Sequence, residues 1–154
     1  MECCVAVKSM RAIILFFLGA LQCMEVVADD RSVVVVAAAT SPLQNVDSLE
    51  LRKIYLGFIV KRDGKIIKGL RNTEDENLNS IFLQTVAAMS ERSYKRRLLF
   101  LPLRKGMPRP VEYDETESLL KALSSNPYSV TYMWKNDAVR SSNVKILRLL
   151  WQQD

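Results

Sequence analysis

The run Ser32 to Thr40, SVVVVAAAT, constrains this chain more than any other feature. It is unbroken by polar residues and rich in β-branched valine, so it does not show the alternation of a strand with one wet face. Such a run reads as a strand buried on both sides, in a parallel or mixed sheet covered by helices on each face. Ser41-Pro42 ends it.

The segments that follow alternate between helical and extended patterns. Asp47-x-x-Glu50 has the form of a capping box, with Val46 and Leu51 at the positions of a hydrophobic staple. It predicts a helix from about Ser48 to Leu56, ended by Gly57 at C′. Phe58 to Lys61 and Lys65 to Leu70 are short strand-like runs around Arg62-Asp63-Gly64-Lys65, and Asp-Gly there predicts a tight hairpin. Thr73-x-x-Glu76 reads as a second capping box, before a helix running to about Ala88 through Leu78, Ile81, Phe82 and Val86. Ser90 then caps a helix to about Phe100. A basic Pro/Gly-rich stretch from Pro102 to Pro110 crosses the surface. Asp114-x-x-Glu117 opens a further helix that Asn126-Pro127 stops. Ser129 to Trp134 and Asn143 to Leu147 read as the closing strands. The expectation is an α/β fold: a single layered domain with a mixed, mostly parallel sheet and helices on both faces.

The amino terminus predicts export. Lys8 and Arg11 precede the apolar run Ala12 to Leu21, and Val26-Val27-Ala28 offers a cleavage site before Asp29. Residues 1–28 are therefore expected to be a signal peptide, cleaved or else retained as an anchor, and 29–154 one periplasmic domain. Cys3, Cys4 and Cys23 all fall in the leader, and the chain has no histidine. The domain then lacks a thiol nucleophile, thiolate and imidazole metal ligands, and the usual general base. No enzyme activity, metal or cofactor is expected. The net charge of +5 carries no aromatic-rich basic motif, so nucleic acid is not expected, and an anionic solute or surface is.

Five pieces, in order, resemble the substrate-binding proteins of phosphate ABC transporters, in the type 2 periplasmic-binding superfamily. Ser-Pro-x-x-x-Val spans Ser41–Val46, after the buried strand. SLELRKIYLG (Ser48–Gly57) is similar to the family's Leu-x-x-Gln-Leu-x-x-Ile-Phe-x-Gly. GKIIKGLRN (Gly64–Asn72) resembles the strand ending in Arg before the phosphate-binding turn. Phe100, Gly106, Pro108 and Pro110 resemble its Phe-Thr-Gly…Pro segment, and LLKALSSNPYSVTYM (Leu119–Met133) its helix, Asn-Pro turn and strand. The resemblance implies a fold like one lobe of a two-lobed receptor, and phosphate or a similar oxyanion as a weakly held ligand. It implies contacts at Thr40, Ser41, Arg71, Asn72 and Thr73. Where the family has a Ser-Gly-Thr turn, this chain has Thr73-Glu74-Asp75-Glu76, whose carboxylates oppose an anion at a helix N-terminus.

Each residue also has a local reading. Thr40 and Ser41 suit a turn at a loop start, Arg71 an ion pair with Glu74 or Asp75, and Thr73 a helix N-cap. The cluster Arg92, Lys95, Arg96, Arg97, Arg104, Lys105 and Arg109 is either a solvated face or a docking surface for an envelope or membrane protein or anionic headgroups. Glu112, Asp114, Glu115 and Glu117 form no catalytic pair, since capping accounts for Asp114 and Glu117.

Overall fold

The computed structural model describes residues 31–101 and 109–153. Residues 1–28, the expected signal peptide with the three cysteines, and Arg104, Lys105, Gly106 and Pro108 lie outside the described residues. The elements run β1 (Ser32–Ala38), α1 (Ser48–Tyr55), β2 (Lys61–Arg62), β3 (Lys65–Ile66), β4 (Lys68–Asn72) and α2 (Glu76–Phe82). A π-helical turn (Leu83–Ala87) then precedes α3 (Glu91–Phe100), β5 (Val111–Tyr113), α4 (Thr116–Ser125), β6 (Ser129–Trp134), α5 (Lys135–Arg140) and β7 (Val144–Gln152).

The main sheet has the order β5-β4-β6-β1-β7. β4 is parallel to β5 and to β6, while β1 is antiparallel to both β6 and β7. Four strands thus share one direction and β1 alone opposes them. All seven residues of β1 are buried. Val33, Val35 and Ala37 join the larger core beneath α1, α2 and α3; Val34, Val36 and Ala38 join the smaller one beneath α4 and α5. The continuous valine run is therefore a strand with a core on each face, as its composition predicts.

Local chemistry accounts for several boundaries. At α1, Asp47 Oδ1 accepts from Glu50 N–H at 2.7 Å and Glu50 Oε2 accepts from Asp47 N–H at 3.3 Å, a complete capping box. Asp63 and Gly64 both have positive φ, 52° and 74°, closing the β2–β3 hairpin by the turn that a two-residue loop favours. Gly69 lets β4 pass beneath α1: a Cβ there would stand 2.9 Å from both Ile54 Cγ2 and Tyr55 Cε1. Asn126 is extended (φ −137°, ψ 107°), as the residue before Pro127 requires, and α4 stops there.

Other expectations fail. The second strand-like run divides, leaving Lys65–Ile66 in the hairpin and Lys68–Asn72 in the main sheet. Thr73 does not cap α2: Asp75 does, accepting from Asn77 N–H at 2.7 Å and Leu78 N–H at 3.1 Å. Thr73 instead continues the edge of β4, its N–H and hydroxyl both donating to Tyr113 O. Asp114 caps nothing either; α4 starts after Glu115, which makes no side-chain cap bond. β5 and α5 give no length of pattern to read, and β7 runs on to Gln152, with Trp151 opposite Val33. The bulges between Val33 and Val34, and between Val35 and Val36, break the two-residue alternation of β7.

Candidate functional site

The residues expected to converge on an oxyanion lie at two ends of the sheet. Thr40 is exposed in the turn after β1, and Ser41 is buried beside it. Ser41 Oγ donates to Pro127 O at 2.5 Å and accepts from Leu43 N–H at 3.2 Å, while Ser41 O accepts from Lys145 Nζ at 2.5 Å. Both Ala37 of β1 and Gly69 of β4 stand opposite Val130. The end of β1 thus meets the start of β4 and β6, and Arg71 lies two residues on in the opposite sense. At ~3.3 Å per residue, the tip of β1 falls about 10 Å or more along the sheet from Arg71. The expected convergence fails because β1 runs against its neighbours, which puts its carboxyl end at their amino ends. Ser41 is a turn and anchor residue in this fold.

Arg71, Asn72 and Thr73 do stay together, at the carboxyl end of β4. Arg71 is 1% exposed, the largest fully buried side chain among the described residues. Its Cζ lies 4.8 Å from the Tyr94 ring centroid and 5.5 Å from that of Phe82. Nη1 donates to Glu112 Oε1 at 2.5 Å and Nη2 to Asn79 Oδ1 at 2.6 Å. Burial pulls the guanidinium pKa down, but Tyr132, Tyr94 and Glu112 more than offset it, so the group stays charged. The aromatic wall is itself tied down. Tyr94 OH donates to Tyr55 O, Tyr55 OH to Leu70 O, and Tyr132 OH to Asn72 O. Asn72 is buried, and its Oδ1 accepts from Glu74 N–H at 3.2 Å.

The ion-pair partner of Arg71 is therefore neither Glu74 nor Asp75. Glu74 accepts a short hydrogen bond from the Thr116 hydroxyl, and Asp75 caps α2. Glu112 faces Arg71 because parallel pairing of β4 and β5 sets those two residues opposite one another. No local rule points to it: the pair is 41 residues apart and β5 is only three residues long.

An open cleft of about 680 Å³ adjoins Arg71, lined also by Thr73, Glu76, Asn79, Ser80, Ser90, Glu91, Lys95 and Glu112. It lies where β4 turns into the loop before α2, and crevices beyond strand carboxyl ends are where open α/β sheets bind ligands. Beside it, Asp75 fills the N-terminus of α2 with its own carboxylate and also accepts from Trp134 Nε1 at 3.0 Å. Burial alone would raise the Asp75 pKa. The bonds from Leu78, Trp134 and Asn77, with the nearby Arg31 charge, outweigh it and hold the carboxyl below its usual value. Asp75→Ala is expected to cost about 1 kcal/mol at neutral pH. Because the folded pKa is depressed, the ionised cap stabilises fully above the ordinary carboxylate range, and that contribution fades as pH falls through the folded value. Urea denaturation of both proteins at pH 7 and in acid should show the gap closing on acidification.

Among the described residues, no group of three or more His, Cys, Asp or Glu could hold a metal, and no helix is long and apolar enough to cross a membrane.

Neither any protein-family model nor any curated protein matches the sequence. The fold does match solved structures. An ABC-type phosphate transport receptor from Vibrio cholerae superposes with a TM-score of 0.58 at 12% identity, over 77% of this chain and 46% of that one. PstS from Borrelia burgdorferi gives 0.53 at 11% identity over 77% and 47%. A possible phosphate binding protein from Planctomyces limnophilus gives 0.54 at 12% over 77% and 41%. The chain thus shares an α/β fold with part of each of these structures, and spans less than half their length.

Proposed function

We propose that this chain is an exported, non-catalytic binding module of the periplasm, built on a phosphate-receptor lobe and binding phosphate or a similar oxyanion weakly. One observation carries the reading: a forked, permanently charged guanidinium, Arg71, stands at the carboxyl end of β4 beside an open cleft. Guanidinium is suited to two-point recognition of an oxyanion. Asn72 and Thr73 complete the turn at that end, with their backbone held by Tyr132 and Tyr113. Thr40 and Ser41 drop out of the site, since they sit at the other end of the sheet. Weak affinity follows from Glu76, Glu91 and Glu112 in the same cleft. Each unit charge at ~4 Å opposes an anion by about 1 kcal/mol in water, and several-fold more where shielded. Isothermal titration of residues 29–154 with phosphate and sulfate should give millimolar-range binding that falls as sodium chloride is raised. Absence of heat at all salt concentrations would sink the oxyanion reading.

A second reading has its own observation. The outer face of α3 carries Arg92, Lys95 and Arg96, and its last turn exposes Leu99 (65%) and Phe100 (55%). Arg97 lies over the exposed ring of Phe58, 5.4 Å from its centroid. A basic surface with uncovered apolar residues suits docking to an acidic face of an envelope or membrane protein. On this reading Arg96→Glu abolishes crosslinking to an envelope protein in intact cells and leaves phosphate titration unchanged.

A further inference from the structure

We infer that Glu112 is a built-in counter-ion occupying the position of an oxyanion at Arg71, and that a phosphate-like ligand entering the cleft binds by displacing it. This rests on the oxyanion reading above and concerns what controls that site.

The two partners of the ion pair are held very differently. Arg71 is 1% exposed and packed against Phe82 and Tyr94, so it cannot swing out to solvent. It cannot discharge either, so an anion has to stand at Nη1 in the folded state. Asn79 supplies a neutral oxygen at Nη2, and among the described residues Glu112 alone supplies negative charge within ion-pair distance. Glu112 itself belongs to a three-residue strand at the edge of the sheet, bonded to β4 on one side only. Its side chain is 40% exposed. Its carboxylate can rotate into water with no core group moving, and the vacated position opens on the cleft through which a solute oxygen would arrive. Thr73, Ser80 and Lys95 line that approach, against Glu76 and Glu91. A phosphate oxygen at the place of Glu112 Oε1 restores the neutralisation of Arg71.

The test compares the wild-type protein with Glu112→Ala, which removes plug and charge, and Glu112→Gln, which keeps the volume and removes the charge. Each is titrated with inorganic phosphate, and each is melted in phosphate and in sodium chloride of equal ionic strength. Glu112→Ala should melt lower than wild type in chloride, regain most of that loss in phosphate, and bind phosphate at least tenfold more tightly. Glu112→Gln should gain less. If Glu112→Ala does not fold in either salt, the Gln variant decides by the same criteria. Wild-type-like phosphate affinity in both variants overturns the inference, as does equal rescue by chloride. Where wild type binds phosphate and Arg71→Met does not, that overturning leaves the oxyanion reading standing; no binding by any variant removes both.

Discussion

Arg71→Ala is expected to lower the unfolding free energy by about 3 kcal/mol, whereas Arg71→Met should cost about 1 kcal/mol or less. Alanine leaves a void among Phe82, Tyr94 and Asn79 that the surrounding rings cannot fill, and large-to-small changes in such places cost ~2–5 kcal/mol. It also forfeits the cation–π contacts, worth ~0.5–2 kcal/mol. Glu112, left without its partner, is 40% exposed and can be hydrated, so its share of the loss is small. Methionine fills most of the volume with an apolar stem, and replacing one half of a buried pair by well-packed hydrophobic volume is tolerated when the other half reaches water. Urea denaturation followed by tryptophan fluorescence measures both. Equal losses for alanine and methionine would show that charge, not volume, holds this part of the core. The comparison also governs how binding is tested: alanine at this position confounds a lost ligand contact with a damaged fold, and methionine separates them.

Phe82→Ala should cost at least as much as Arg71→Ala, at about 3–5 kcal/mol. The ring is fully buried, stacked on Tyr132 at 4.5 Å and 5°, and edge-on to Tyr55 at 4.9 Å and to Tyr94 at 5.7 Å. Against a total stability of ~5–15 kcal/mol for a domain of this size, that loss brings the protein close to unfolding at room temperature. Phe82 also touches the Arg71 guanidinium, so the two sites share one cavity. The double variant Phe82→Ala/Arg71→Met should therefore lose less than the sum of its parts, by ~0.5 kcal/mol or more. Additive losses, measured by the same denaturation, would mean that Phe82 takes no part in holding Arg71.

Much of the architecture was legible because it depends on short-range chemistry. Seven consecutive buried residues in β1 need a layer on each face, whatever the rest of the chain does. The Asp47–Glu50 box, the Ser90 cap, the Asp63-Gly64 turn and the Asn126-Pro127 stop each involve residues within a few positions of one another. Where two local options competed, the sequence did not choose between them. Thr73 and Asp75 are both good N-caps, and Asp75 prevails because Thr73 is drawn into the edge bond with Tyr113, forty residues away. The short elements β5 and α5 were not legible, since three and six residues carry too little periodicity.

The chemistry of the site divides along the same line. That Arg71 ends a strand, with acidic residues following and no histidine or thiol nearby, is a property of the sequence alone. Which way β1 points, and hence that Ser41 stands far from Arg71, was decided by sheet assembly: a two-faced apolar strand pairs equally well in either direction, so its residues carry no sign of polarity. The choice of Glu112 over Glu74 or Asp75 was likewise made by the parallel register of β4 and β5. Backbone hydrogen bonds set that register, and they are blind to the carboxylate they bring to the guanidinium.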